Sequence, residues 1–304
     1  MPEIYIDGQA GTTGLEIVSR LSARKDIHLI LIDEDKRKDE AERRKCMNAA
    51  DLVFLCLPDA AAIEAVTLIE NPHTKVIDAS TAHRCDPQWA YGFSELGEAF
   101  LNAIRTSMRV ANPGCHATGF ISIVYPLIQL GILSPADTIT AYSLTGYSGG
   151  GKKMIAQYEA GHDEALLAPR LYGLSLTHKH LPEMKKVCHL QKDPLFCPVV
   201  DDYYRGMATS VMLEADAAQV HAALTKFYQK GLVHVHPFGD ESNISANAMA
   251  GRDDLELVVC GRKEQTIVTA LFDNLGKGAC GAAIQNMNIM LGLDPYAGLS
   301  LTER

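Results

Sequence analysis

Four short apolar runs open the chain: EIYI (3–6), HLILI (28–32), LVFLCL (52–57) and KVIDAS (75–80). Between them lie a helical pattern over 14–23, the charged run DEDKRKDEAERRK (33–45) and a second helical pattern over 59–70. Apolar strands separated by helices imply parallel strands joined by right-handed crossovers. After Pro113 the texture changes. A helix over 117–131 precedes TITAYSLTGYS (138–148), the run Gly149-Gly150-Gly151 and a polar stretch to Glu183. Strand formers then follow one another with fewer helices between: FCPVV, ATSVMLEA, LVHVHPF and LELVVC. That succession predicts a mostly antiparallel sheet. The expected architecture is α/β: an N-terminal doubly wound parallel sheet of Rossmann type, then a C-terminal α+β domain. The expected boundaries are 1–115 and 116–282, with 283–304, which carries most of a final helix over 278–292, packing back on the first domain.

The composition keeps this picture and narrows it. The chain has 304 residues, 47% hydrophobic and 21% charged, which suits two domains at roughly 100–200 residues each. A net charge of -9 argues against a broad nucleic-acid footprint or adhesion to an anionic membrane, so an anionic substrate needs a local cluster of positive groups. No stretch approaches the roughly 18 apolar residues of a spanning helix, and the first residues already read as a strand and not as a targeting segment. The eight cysteines are scattered without a CxxC pair, which fits a reducing cytoplasm. HVHPF (234–238) reads as an alternating strand, since no third ligand lies at metal spacing, and Trp89 reads as packing.

In IYIDGQAGTTGLEI, Gly8, Gly11 and Gly14, with Thr12 and Thr13 between, fall between the first strand and the first helix. Glycines there permit close backbone approach, and a helix N-terminus offers unbonded N–H groups to a pyrophosphate. Asp33 ends the second strand where a carboxylate holds a ribose hydroxyl, yet Lys36, Arg37 and Lys38 follow, and basic groups suit a 2′-phosphate. Glu40 through Lys45 read as a solvated helix face. Pro58 and Ser80, at the ends of the third and fourth strands, belong to the cofactor floor by position.

The segment RVANPGCHATG (109–119) places a short strand before Asn112-Pro113-Gly114 and opens a helix at Cys115. A thiol at a helix start is stabilised as thiolate, and the same N–H groups can receive an oxyanion. Those residues resemble a known family. IDGQAGTTG, NPGCHATG, TGYSGGGKK, THKHLPEM and DNLGKGACGAAIQNMN are similar to the segments of the N-acetyl-gamma-glutamyl-phosphate reductases, in the shorter of that family's two forms, with a reduced span over 36–50. The resemblance implies NADP(H) as cofactor, an acyl phosphate as substrate, inorganic phosphate as product, and a homo-oligomer, dimer or tetramer. It implies Cys115 as the nucleophile and His178 or His180 as the general base. Histidine titrates near neutrality, so the residue type suits the task. The glycine loop with Gly149, Lys152 and Lys153 reads as a flexible nest closing over an anion, with Asn112 in the substrate site and Arg84 and Arg205 as clamps for phosphate and carboxylate. Aspartate-semialdehyde dehydrogenase and a non-catalytic dinucleotide sensor are the alternative readings.

Overall fold

β1 (Glu3–Asp7) is buried in all but its first residue, and β3 (Leu52–Leu55) is buried throughout. Strands are apolar on both faces when helices cover both faces of a parallel sheet. In the computed structural model, which describes residues 1–161, 163–239 and 242–303, they join β2 (His28–Ile30), β4 (Lys75–Asp78), β5 (Ala90–Tyr91) and β6 (Arg109–Ala111). His162, Asp240, Glu241 and Arg304 lie outside the described residues, Arg304 being the end of the segment expected on the first domain. The strand order is β2-β1-β3-β4-β6-β5, every pair parallel. The helices are α1 (Thr12–Ser22), α2 (Glu40–Ala49), α3 (Asp59–Thr67) and α4 (Glu98–Thr106). Alternation sorts the side chains: Ile4 and Ile6 face Ile17 and Leu21 of α1, whereas Tyr5 faces Met47 of α2 and Ala62 and Ala65 of α3.

Asp39 caps α2, accepting from the Glu42 N–H at 3.0 Å. The helix is not uniformly solvated as its charges suggest. Arg43 turns inward, its Nη2 2.9 Å from Oδ2 of Asp7, with side-chain exposures of 11% and 3%. Asp7 ends β1, so α2 is fastened to the strand that precedes the glycine turn.

The second sheet contains β7 (Thr140–Gly146), β8 (Arg170–Leu171), β9 (Leu195–Asp201), β10 (Met207–Leu213), β11 (Val233–Val235), β12 (Leu255–Arg262) and β13 (Gln265–Phe272). They run in the order β11-β12-β13-β10-β7-β9-β8. The pairs β11–β12 and β7–β9 are parallel and the others antiparallel. The helices of this part are α5 (Cys115–Gln129), α6 (Gly151–Glu159), α7 (Leu181–Val187) and α8 (Ala217–Phe227), of which α5 and α8 pack on the sheet. Gly119 lets α5 lie close, since a Cβ there would meet the Thr209 side chain at 2.5 Å. On the other face Met212 and Ile267 are exposed. Of HVHPF, expected as an alternating strand, only His234 and Val235 fall in β11, whose burial does not alternate. A five-residue π turn, Gly276–Cys280, then leads into α9 (Gly281–Leu291).

The chain divides into two compact units, Met1–Pro113 with Ala279–Leu299, and Gly114–Gly278 with the described residues from Ser300 onward. The first boundary therefore precedes Cys115, because α5 packs as one body with the second sheet, and the return begins at Ala279, earlier than 283. The tail departs from expectation too. Ser300 exchanges hydrogen bonds with Asp253, its N–H reaching Oδ2 at 2.7 Å, so the last residues belong to the second unit.

Replacing Arg43 by Ala leaves the Asp7 carboxylate buried without its partner, a loss of about 3–5 kcal/mol when a buried pair is broken from one side. Chemical denaturation should show that loss; a change below about 1 kcal/mol would refute the anchoring role.

Candidate functional site

In the first unit the glycine turn is built for close approach. Gly8 has φ +85°, and a Cβ there would lie 2.3 Å from the Cys56 carbonyl oxygen; a Cβ on Gly14 would lie 2.4 Å from the carbonyl oxygen of Gly8. Gly11 precedes α1 as its N-cap and donates its N–H to the Gly8 carbonyl at 2.9 Å. The first turn of α1 carries no acidic residue, leaving the helix N-terminus positive. Thr12 Oγ1 is buried there without a hydrogen-bond partner among the described residues. A side-chain-free cradle with an unpaired hydroxyl at a positive helix end fits a pyrophosphate.

The other residues expected around the cofactor are spread along the strand ends. Pro58 is the N-cap of α3. Ser80 spends its hydroxyl internally, donating to Asp78 Oδ2 at 2.7 Å while its N–H bonds Oδ1 at 2.9 Å. Asp78 Oδ2 also holds His83 Nδ1 at 2.6 Å, and His83 stacks on Trp89 with centroids 4.1 Å apart. Lys36 and Arg37 are exposed beyond β2 and pair with Asp33 and Glu34 at 3.8 and 2.5 Å.

In the second unit Cys115 is the first residue of α5, with Gly114 as N-cap and no acidic residue in the first turn. The Cys115 side chain is half-buried. Gly114 donates its N–H to the buried Glu183 carboxylate at 3.3 Å. Gly278 adjoins the thiol: its own Cβ would meet the Cys115 Cβ at 3.0 Å, so only glycine fits there comfortably. By contrast, burial and the Asp78 and Asp7 carboxylates push the Cys56 thiol up to about 12, and burial pushes Cys188 well up.

His178 and His180 come together with ring centroids 4.8 Å apart, and His180 is 4% exposed. Burial first, then Lys179, pushes His178 down to about 4, so it is neutral at pH 7. His178 Nδ1 accepts the His180 N–H at 3.2 Å, which puts the proton of the neutral ring on Nε2. His178 thus offers a donor, whereas a general base needs an open lone pair.

TGYSGGGKK, expected as a loop, runs from the end of β7 through a 3-10 turn, Tyr147–Gly150, into α6. Gly149 is exposed in that turn, and Lys152 is exposed in the first turn of α6. Arg205 is engaged rather than held open: its Nε lies 2.5 Å from Oδ2 of Asp273, a fully buried carboxylate that also accepts the Leu275 N–H. Arg84 is buried and bonds main-chain oxygens, Nε to Asn112 at 2.9 Å and Nη2 to Ala79 at 3.1 Å. Asn112 is likewise occupied, its amide donating to the Ala279 carbonyl at 3.0 Å and accepting from Asn286 at 3.1 Å. His116, Tyr172 and Glu183 escaped the sequence reading, although His116 adjoins the nucleophile and Glu183 lies in THKHLPEM. Among the described residues no cluster of three metal-ligating side chains occurs, and no helix is long and apolar enough to cross a membrane.

A family model described as semialdehyde dehydrogenase, NAD binding domain, matches residues 3–104, and one described as semialdehyde dehydrogenase, dimerisation domain, matches 115–274. Among solved structures, aspartate semialdehyde dehydrogenase II of Vibrio cholerae is similar in fold, with TM-score 0.70 over 96% of this chain and 98% of that one, at 15% identity. The Candida albicans aspartate semialdehyde dehydrogenase with NADP gives TM-score 0.66 at 13% identity, over 96% and 98% of the two chains. Curated relatives lie nearer in sequence. N-acetyl-gamma-glutamyl-phosphate reductase 2 of Nostoc sp. is 42% identical over 98% of this chain and 99% of its own. The enzyme of the same name from Pseudomonas putida is 43% identical over 96% and 97% of the two chains. The N-acetyl-gamma-glutamyl-phosphate reductase of Sinorhizobium fredii is 44% identical over 95% and 99%. With the glycine cradle in one unit, a helix-start cysteine and a pair of histidines in the other, and this identity over nearly the full length, the chain belongs to the N-acetyl-gamma-glutamyl-phosphate reductase family.

Proposed function

We propose that the protein reduces N-acetyl-L-glutamyl 5-phosphate to N-acetyl-L-glutamate 5-semialdehyde with NADPH, releasing inorganic phosphate, as a step of arginine biosynthesis in the cytoplasm. The observation that carries this reading is Cys115 at the uncapped start of α5, with His178 and His180 in the same unit. A helix N-terminus contributes typically 0.3–1 kcal/mol to an anion, so it favours the thiolate. The sulfur attacks the acyl carbon, the carbon–oxygen bond to phosphate breaks, and phosphate leaves with the electron pair. The acyl group remains on Cys115 as a thioester. The first N–H groups of α5 stabilise the oxyanion that forms during attack. His178 adds a donor from Nε2, and His180 is assigned the proton exchange. When the carbon–sulfur bond breaks, the aldehyde leaves and the thiolate returns.

NADPH supplies the hydride that reduces the thioester. Gly8, Gly11 and Gly14 with Thr12 and Thr13 are the residues that would hold its pyrophosphate, and Lys36 and Arg37, both exposed, suit a 2′-phosphate. Pro58 and Ser80 remain candidates for the floor. Lys152, exposed at the positive start of α6, suits a substrate anion. In this reading Arg84 and Asn112 brace the main chain of the first unit, and Arg205 pairs with Asp273 in the second. The protein assembles as a homo-oligomer through the second unit, whose sheet exposes Met212 and Ile267.

The deciding assay measures NADP reduction with phosphate and either N-acetylglutamate semialdehyde or aspartate semialdehyde; turnover of the second alone would reject this substrate. Cys115→Ser should lose essentially all turnover and still bind NADPH by fluorescence titration, and a near-wild-type rate would remove the thioester route. His178→Asn and His180→Asn should differ sharply in kcat at pH 7. His178→Gln, which keeps an N–H donor, should recover part of the His178 loss. Since burial holds His178 near 4, the neutral ring is lost only as pH falls through about 4, and the acid limb of its contribution to kcat/KM belongs there and not at 6.5. Equal, mild losses in both Asn variants would move proton transfer elsewhere. Ile267→Glu should yield a smaller species by light scattering; an unchanged mass would exclude that sheet face as the interface.

A further inference from the structure

The residue after the nucleophile has no part in the steps above. His116 is 3% exposed. Its Nδ1 lies 2.7 Å from Ser143 Oγ and its Nε2 lies 2.6 Å from the Tyr172 hydroxyl. Ser143 Oγ continues to Thr209 Oγ1, also at 2.7 Å. The four residues, three of them buried and Tyr172 half-buried, form one chain of hydrogen bonds across the second unit, from β10 through β7 and the start of α5 to the segment after β8. The His116 ring also meets His178 edge-on at 5.4 Å and Phe196 at 5.2 Å, and it lies 5.8 Å from His180.

Burial, then His178 and Lys179, pushes His116 down to about 3. A neutral imidazole has one donor and one acceptor, and hydroxyl partners adapt to either role, so this ring is satisfied without charge. Both nitrogens are bonded, which leaves it no lone pair for substrate chemistry. What remains is to hold its neighbours. Tyr172 stays protonated, because burial raises its hydroxyl above the usual tyrosine range and a negative charge on Cys115 raises it further.

We propose that His116 is a positioning residue: bonded between Ser143 and Tyr172 and edge-on against His178, it fixes the first turn of α5 that carries Cys115, so that the reactivity of the thiol depends on this chain. Breaking the chain loosens the start of α5, whose N–H groups then hold the thiolate less firmly. The inference rests on the reading of Cys115 as the nucleophile.

The test follows carbamidomethylation of Cys115 in the full chain by iodoacetamide, without substrate, across pH 5–10, with the Cys115 peptide quantified by mass spectrometry, alongside kcat and KM. Tyr172→Phe and His116→Phe should each slow alkylation at pH 7 and lower kcat by about tenfold or more, with the alkylation midpoint moved to higher pH and KM within about threefold. The double variant should fall within about threefold of the worse single one, since both break the same chain. Should His116→Phe fail to fold, Ser143→Ala takes its place, with a loss of about threefold or more in the same direction. Alkylation and kcat unchanged within about twofold in Tyr172→Phe, or losses that multiply in the double variant, overturn the inference. A wild-type Cys115 no faster than the other cysteines would instead refute the nucleophile reading, which keeps the two failures distinct.

Discussion

Asn112 is 1% exposed, and every polar group of its side chain is committed: the amide donates to the Ala279 carbonyl and accepts from Asn286, which itself donates to the Gly92 carbonyl. Arg84 bonds the Asn112 main-chain oxygen and that of Ala79, tying the end of β6 to the end of β4. Unmaking any one of these bonds leaves a buried partner unsatisfied, a penalty of about 1–3 kcal/mol. Pro113 adds a steric constraint by keeping Asn112 out of the helical region. Asn112 thus stays outside any helix, and α5 begins at Cys115 with Gly114 as its N-cap.

The same economy explains how an acidic protein of net charge -9 can present sites for anions. The arginines that look like substrate clamps are internal fasteners, each matched to carbonyls or to a buried carboxylate. Buried guanidinium groups need such partners, since an unpaired buried charge is far costlier than an exposed one. The proposed reaction assigns anion recognition instead to helix N-termini: α1 beside the glycines, α5 at Cys115, and α6 at Lys152. Main-chain N–H groups carry only partial charge, so they can be held in low dielectric without a counter-ion.

Burial also governs the three histidines near the thiol. With centroids within 6 Å of one another, protonated rings would repel. Desolvation holds His178 near 4 and His116 near 3, and both are neutral at pH 7. The linkage has one sign: the unfolded chain binds these protons below about 6.5, the folded chain only near 4 and 3, so stability falls as pH drops through that window. Two neutral rings, His116 and His178, can direct hydrogen bonds without adding a full charge that would trap an anion.

The parallel sheet, the glycine turn and the helix starting near Cys115 were legible in the chain, because strands buried on both faces are continuously apolar and a helix opening on Pro-Gly has a local signature. The central strand β13 went unread, although QTIVTALF alternates adequately, and so did α4 and α8, whose amphipathic faces acquire meaning only against a partner sheet. Arg43 looked like one of many solvated charges; only the placement of Asp7 at the end of β1 turns it inward. Likewise nothing local distinguishes Arg84 and Arg205 as fasteners from clamps, since the carbonyl of Asn112 and the carboxylate of Asp273 reach them across long separations in sequence. Ser143 and Tyr172 meet His116, and Thr209 meets Ser143, from three different parts of the chain. Sequence by itself determined which local backbone shapes were possible and which residue types could do the chemistry. Tertiary structure decided which of those groups are buried, neutral and already bonded, because burial and long-range hydrogen bonding exist only once the sheets and helices have packed.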